Sequence, residues 1–395
     1  MIANFTFHNP VKVIFGAGSI ASLSSELPRD ARILVTYGGG SIKSNGVYDQ
    51  VKAALKDHTW FEFGGIEPNP TFETLMKAVE MVARDKITWL LAVGGGSVLD
   101  GTKFIAAAAC HAGDPWQILT NPQPLQAALP IGTVLTLPAT GSEMNGGAVI
   151  SRQSTHEKLV FMDPLVYPRF SVMDPQVTYS LPPRQITNGI VDTFVHTTEQ
   201  YLTHAVNGHL QDRQAEAILN TLIDIAPALL KPEPEYDSRA TFMWTATNAL
   251  NTLIGCGVPQ DWATHMIGHE LTALYKLDHG QTLAIILPQV LNHQFERKKA
   301  KLAQMYHRVW EGRQIGDCQC QPIPAGDIEA AARRSICCIE TFFHSVGMAT
   351  TFAHYGIKAD PRQVYARLAS RDMMLGEYGD LGPAKAAEIV ALAMK

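Results

Sequence analysis

No stretch of this 395-residue chain approaches the roughly 18 consecutive apolar residues of a membrane-crossing helix, which excludes that kind of anchor. A basic excess is also missing. Lys and Arg total 32 against 37 Asp and Glu, for a net charge of −5, so no cationic face exists to neutralise a nucleic-acid backbone. Nor is there a polybasic amphipathic segment suited to a membrane surface. The opening residues Met1–His8 lack a basic start followed by an apolar run, so they do not read as a secretory signal, and cytoplasmic residence is the expectation. Cysteine is sparse at six residues. The spacings of Cys318-Gln-Cys320 and Cys337-Cys338 match no zinc ribbon or finger, so reduced free thiols are expected rather than a second metal site. Internal repeats and low-complexity tracts are absent.

What remains is a large folded core. Hydrophobic residues make up 46% and charged ones 17%. At this length one core usually stops growing, so two domains are expected. The first half alternates short apolar runs (Val11–Phe15, Ala31–Thr36, Trp60–Phe63, Trp89–Val93, Thr133–Leu137) with helical patterns at Gly46–Leu55, Pro70–Ala83 and Ser97–Cys110. That alternation predicts an α/β domain with a mostly parallel, Rossmann-like sheet covered on both faces. From Pro183 onward the pattern is helix after helix: Asn188–His204, Gln211–Leu230, Ser238–Leu253, Gln260–Leu274 and Leu283–Phe295. A boundary at Pro182-Pro183 is predicted, giving an α/β domain over 1–182 and an all-helical domain over 183–395. Gly312–Asp327, rich in Gly, Pro and Cys, reads as a surface loop.

The chemistry concentrates in a few motifs. Asp192 and His196 are four residues apart, one turn on the same helix face, where a carboxylate and an imidazole converge on one cation. An ordinary helical ion pair would use the same spacing. Metal sites usually take three or four protein ligands, and His265 and His279 are the candidates to complete this one. Fourteen positions separate them, about 21 Å of rise on an unbroken helix. The helix carrying His265 must therefore end before His279, and Tyr275–Gly280 offers polar residues and a glycine for that purpose. Such a nitrogen and oxygen donor set suits Zn²⁺ or Fe²⁺ alike.

Three loops point to a phosphate-bearing ligand. Val93-Gly-Gly-Gly-Ser97 joins a strand to a helix, where free N–H groups and the helix dipole favour anions. It is not the G-x-G-x-x-G fingerprint. Gly95 and Gly96 permit close approach, and Ser97 can cap the helix and donate to a phosphate. Asp100, in the first turn, must point elsewhere, toward a nicotinamide or a substrate. Tyr37-Gly-Gly-Gly-Ser41 ends another strand without the acid that would bind a ribose 2′-hydroxyl. Gly38, Gly39, Ser41 and Lys43 there favour a 2′-phosphate, hence NADP(H) over NAD. Leu137-Pro-Ala-Thr-Gly-Ser-Glu143 brings hydroxyls of Thr140 and Ser142, with Thr136 just before, to the same carboxyl edge. Trp116, Trp262, Phe194 and Leu253 are candidates for an apolar substrate pocket or for plain core.

Taken together, Gly94–Asp100, Leu137–Glu143, Asn188–His196, His265–His269 and Asp278-His279 give the chain a resemblance to the iron-containing (group III) alcohol dehydrogenases. Within them it is similar to the NADPH-dependent butanol dehydrogenase or aldehyde reductase branch. The resemblance implies a nucleotide-binding domain, a helical metal-binding domain and an active site between them. It implies a divalent metal, zinc or iron, on Asp192, His196, His265 and His279. His269 then lies near the nicotinamide and is the candidate proton relay. Gly38, Ser41, Gly95, Gly96, Ser97, Thr136, Thr140, Asn145 and Lys158 fall where relatives contact the dinucleotide. Short-chain aldehydes and primary alcohols are the implied substrates, and a homodimer the implied assembly. A lyase related to dehydroquinate synthase is the alternative. A metallohydrolase is disfavoured because Met266, not a glutamate, follows His265.

Overall fold

The computed structural model describes residues 1–121 and 123–394; Pro122 and Lys395, which fall within the two expected domains, lie outside the described residues. Two compact units emerge. One comprises residues 8–182 and 233–251, the other 1–7, 183–232 and 252–395. This differs from a single division at 182/183 in two places. A helix of the second half packs into the α/β unit, and the first seven residues pack into the helical one.

In the α/β unit the strands are β1 Lys12–Phe15, β2 Arg32–Tyr37, β3 Thr59–Phe63, β4 Trp89–Gly95, β5 Ile131–Leu137, β6 Gly147–Arg152, β7 Glu157–Met162 and β8 Phe170–Met173. Six of them form one parallel sheet in the order β1-β8-β5-β4-β2-β3. Alternation along each strand explains why both faces are covered. Leu34, Leu90, Ala92 and Ile131 face one apolar cluster, while Ile33, Val35, Leu91 and Val93 face the other. Counting helices of two turns or more, α1 Val47–Ala54, α2 Phe72–Arg84 and α3 Gly96–Ala108 follow β2, β3 and β4. Thr71 caps α2 by accepting from the Thr74 N–H at 3.4 Å. The antiparallel β6–β7 hairpin and the short strand β8 were not anticipated.

The helical unit contains α4 Pro183–Tyr201 and α5 His209–Leu229. After them comes α6 Tyr236–Ala249, which joins the α/β unit. The helical unit resumes with α7 Ala263–Tyr275, α8 His279–His293, α9 Phe295–Met305, α10 Ile328–Ser345, α11 Pro361–Ala369 and α12 Pro383–Leu392. Pro183 begins α4 rather than merely interrupting the chain, because the first helical position needs no N–H and suits proline's fixed φ. The predicted break before His279 is present: Lys276, at φ 57°, closes α7. Gly280 does not end that helix; it sits in the first turn of α8. The segment Gly312–Asp327 is not all surface loop. It folds a small hairpin, β9 Gln314–Ile315 and β10 Cys318–Gln319, and buries Cys320 completely.

Candidate functional site

Helix α4 is buried along most of its length, from Ile186 to Tyr201. Its stripe at i, i+4 and i+7 presents Asp192, His196 and Glu199 together. Asp192 Oδ1 lies 3.5 Å from His196 Nδ1, 3.6 Å from His265 Nε2 and 3.5 Å from His279 Nε2. Asp192, His265 and His279 each offer a ligand atom within 4.8 Å of the other two. His196 touches Asp192 and stacks on His265, ring centroids 4.5 Å apart, but lies outside that mutual set. Asp192, His196 and His265 are buried, whereas the His279 side chain is 26% exposed and forms the open edge of the group.

Each donor is held from behind. The carboxylate of Glu199 accepts from the Thr264 N–H at 2.6 Å and from Nδ1 of His265. One buried acid thus caps the start of α7 and fixes the imidazole with Nε2 toward Asp192. Burial works against a charged His265, but the neighbouring Glu199 and Asp192 carboxylates outweigh it and raise its pKa to about 9. Trp262, in the left-handed region at φ 60°, begins α7 and sets its ring 5.4 Å from that of His265. His279 owes its place to Asp278, whose carboxylate takes Arg184 at 2.6 and 2.7 Å and the Asn188 amide at 2.8 Å, both from α4. The contact is close enough that a Cβ on Gly280 would stand 2.9 Å from Asn188 Cα. Glycine is required there for helix approach. His269 is buried, its ring centroid 5.4 Å from that of His279.

In the α/β unit the three polar loops leave the carboxyl ends of adjacent strands β2, β4 and β5. Gly94 and Gly96 are demanded by the protein's own packing, since a Cβ there would meet Val98 or Thr140 at 2.5 Å. Gly39 faces open space. Ser97 Oγ accepts from the Asn69 N–H at 3.4 Å, and the Lys158 ammonium donates to Asn69 Oδ1 at 2.8 Å. Asn69 therefore links the first turn of α3 to a nearby cation, an arrangement suited to an anion. Exposed Ser41 opens a single turn after Gly40, and Lys43 pairs with Glu62 at 3.2 Å. That acid, contributed by β3, was not foreseen at this edge. Thr136 and Thr140 are half-buried on β5 and its loop.

Three of the expected ligand contacts are engaged in hydrogen bonds within the unit. Asp100 accepts from Ser142 Oγ at 2.6 Å and from the Val149 N–H at 3.0 Å, so both carboxylate oxygens are engaged within the unit. Ser142, Asn145 and the Gly147 carbonyl accept from the buried Lys103 ammonium at 2.8, 3.1 and 2.8 Å. Asp100, Ser142 and Asn145 thus brace the loops. Burial depresses Lys103 to about 8 despite the neighbouring acids, and raises Asp100 and Glu143. Trp116 packs on Phe72, and Phe194 on Phe342, Phe343 and Trp310. Both are core rather than pocket wall.

Comparison with known proteins fits this layout. Residues 10–175 match the family model described as iron-containing alcohol dehydrogenase, and residues 186–394 match the C-terminal model of the same family. The chain belongs to the iron-containing alcohol dehydrogenase family. It is 54% identical to the NADPH-dependent aldehyde reductase YqhD of Escherichia coli, over 90% of this chain and 89% of that protein. It is 40% identical to a probable NADH-dependent butanol dehydrogenase of Bacillus subtilis, over 96% of each. The crystal structure of E. coli YqhD superposes with a TM-score of 0.94 at 50% identity, covering 99% of each chain.

In an iron-containing alcohol dehydrogenase the donor group must fit a divalent ion. Metal–ligand bonds of about 2.1 Å give a tetrahedral ligand–ligand edge of about 3.4 Å. The three Asp192–imidazole separations of 3.5, 3.6 and 3.5 Å lie at that edge. Three imidazoles and a carboxylate, with one imidazole oriented by a second carboxylate, are the chemistry such an ion takes. Sequence reasoning missed Glu199, although its place three residues after His196 on the same helix face was the available signal. It also missed Asp278 as the strut between α4 and α8, and Asn69, which shares no motif with Ser97.

Proposed function

We propose that this family member is a metal-dependent, NADPH-linked alcohol dehydrogenase, an aldehyde reductase interconverting short-chain aldehydes and primary alcohols. The observation that carries the reading is the convergence of three imidazoles on Asp192 Oδ1 at 3.5–3.6 Å. When bound, the divalent ion polarises a carbonyl oxygen and the nicotinamide supplies hydride to its carbon. The chain's own part is positioning. Asp192, His196, His265 and His279 hold the ion, and Glu199 keeps Nε2 of His265 available to it. His269, buried beside His279, is the residue to hold or pass the alcohol proton. Gly95, Gly96 and Ser97, at the start of α3, take the pyrophosphate, with Lys158 and Asn69 beside them. Gly38, Gly39 and Ser41, with Thr136 and Thr140, take the remainder of the dinucleotide.

The relatives differ in cofactor, one named for NADPH and another for NADH. NADP(H) is favoured here by the absence of an acid in Tyr37–Ser41 and by Lys43 at its edge. Zinc and iron are both admitted by the donor set. A homodimer is the inferred assembly, resting on the family resemblance, and the cytoplasm the inferred compartment, resting on the N-terminal sequence; no helix among the described residues is long and apolar enough to cross a membrane. The inferred division of labour is nucleotide binding by the α/β unit, residues 8–182 with 233–251, and metal binding by the helical unit.

The test is NADPH consumption with an aldehyde panel, before and after chelation and metal add-back. Stoichiometric oxidation that chelation abolishes and Zn²⁺ or Fe²⁺ restores is expected. A metal-loaded protein that turns over a substrate without net NADPH loss would instead be a lyase of the dehydroquinate synthase kind.

A further inference from the structure

Four cysteines gather around one guanidinium on the helical unit, far along the chain from any metal-ligand motif. Arg334, on α10, donates from Nη2 to Cys318 Sγ at 2.7 Å and to the Gln319 carbonyl at 3.3 Å, and its Nη1 lies 3.8 Å from Cys337 Sγ. Beneath them Cys320 and Cys338 are fully buried, with sulfurs 3.2 Å apart. Cys318 is half-buried and Cys337 exposed. The backbone holds Cys320 in place, because its N–H donates to Arg313 and its carbonyl accepts from Gly312. Closing the Cys320–Cys338 gap to a disulfide bond of about 2.05 Å needs roughly 1 Å of movement.

We propose that this cluster is a redox-active thiol site, in which a hydroperoxide entering at Cys318 converts Cys320 and Cys338 to a disulfide. Such a site needs an accessible thiolate beside a cation and a resolving thiol within reach. Arg334 supplies the cation beside half-buried Cys318, and Cys320, two residues on, is the resolving thiol. The Cys318 thiolate attacks the peroxide oxygen and the O–O bond breaks, leaving a sulfenic acid and an alcohol, or water from hydrogen peroxide. Cys320 sulfur then attacks Cys318 sulfur and the S–O bond breaks, releasing water. Cys338 sulfur attacks Cys320 and returns Cys318 to Arg334 as thiolate. Overall two thiols lose two electrons and two protons, and the hydroperoxide is reduced to alcohol and water. The product bolts the β9–β10 hairpin to α10. The separation of entry thiol from buried pair matters because burial raises the pKa of Cys320 and Cys338 and leaves them poor first nucleophiles.

The experiment uses reduced, zinc-loaded protein and stoichiometric hydrogen peroxide, with maleimide mass tagging and peptide mapping. Of six thiols four should remain, with a cross-linked peptide joining Cys320 to Cys338. In Cys338→Ser the link should shift to Cys318–Cys320, and Cys318→Ser should slow disulfide formation by about tenfold. Arg334→Gln should slow it as well, with the thermal melt of each variant recorded as a folding control. Retention of all six thiols, or oxidation halting at a Cys318 sulfinic acid without a cross-link, overturns the proposal. An undiminished rate in Cys318→Ser overturns the entry role.

Discussion

Replacing Glu199 with glutamine tests whether the buried acid governs metal binding or merely fills space. One wild-type carboxylate oxygen accepts from the Thr264 N–H at 2.6 Å and the His265 N–H at 3.4 Å, and the other from His265 Nδ1. Glutamine has one acceptor oxygen, and the short Thr264 bond retains it. The amide NH₂ then faces Nδ1, which must become the acceptor. The imidazole proton moves to Nε2, the atom 3.6 Å from Asp192 Oδ1 and the one a cation needs bare. Removing a partner of this kind typically weakens metal affinity by 10–100-fold, about 1.4–2.7 kcal/mol. The tautomer switch places Glu199→Gln at the upper end. Competitive chelator titration with Zn²⁺ on wild type and variant reads the ratio directly. The melt of the metal-free proteins shows that folding is intact, since Gln keeps the shape and the Thr264 bond. A Zn²⁺ affinity within about threefold of wild type would refute the reasoning.

Other perturbations have equally direct readouts. His265→Ala should lose both bound metal and turnover; a fully active, metal-free variant would disprove the ligand role. Gly280→Ala sets a Cβ 2.9 Å from Asn188 Cα. Since backbone cannot yield cheaply, α8 should shift and turnover fall by about tenfold or more, measured as kcat in metal-saturated enzyme. Lys103→Met leaves Asp100 and Glu143 buried without their cation, costing about 3–5 kcal/mol in a urea melt. The same lysine predicts a pH effect. Folded Lys103 releases its proton near 8 while the unfolded chain keeps it to 10.5, so its contribution to stability rises with pH across that window. Wild type and Lys103→Met should therefore differ in slope between about pH 8 and 9.5, and parallel slopes would count against a buried amine of depressed pKa.

The grouping of Asp192, His196, His265 and His279 was legible because helix geometry constrains it: an i, i+4 pair needs no tertiary knowledge to face one way, and a fourteen-residue gap demands a break. What holds them was less visible. Asp278 acts through contacts to Arg184 and Asn188, 94 and 90 residues back along the chain, and no local pattern announces such a partner. Asp100 looked like a ligand contact by position in the GGGS turn, yet its direction depends on Ser142 and Val149, brought in by the sheet. The strand β8 escaped because Phe170–Met173 is four residues buried on both sides, too short for a periodic signal. Helix Tyr236–Ala249 was readable as a helix, but periodicity says nothing about which unit Phe242 and Met243 pack into.

That excursion of the chain has a bearing on biosynthesis. The α/β unit is not contiguous: it waits for residues 233–251 after a fifty-residue stay in the other unit. Thr247, on the returning helix, donates to the buried Glu143 carboxylate at 2.5 Å. A nascent chain paused after residue 182 would expose that acid and the apolar seat of Met243. The α/β unit can therefore mature on the ribosome only after residue 251 has cleared the exit tunnel, and the amino-terminal half expressed alone would lack the helix that seals it.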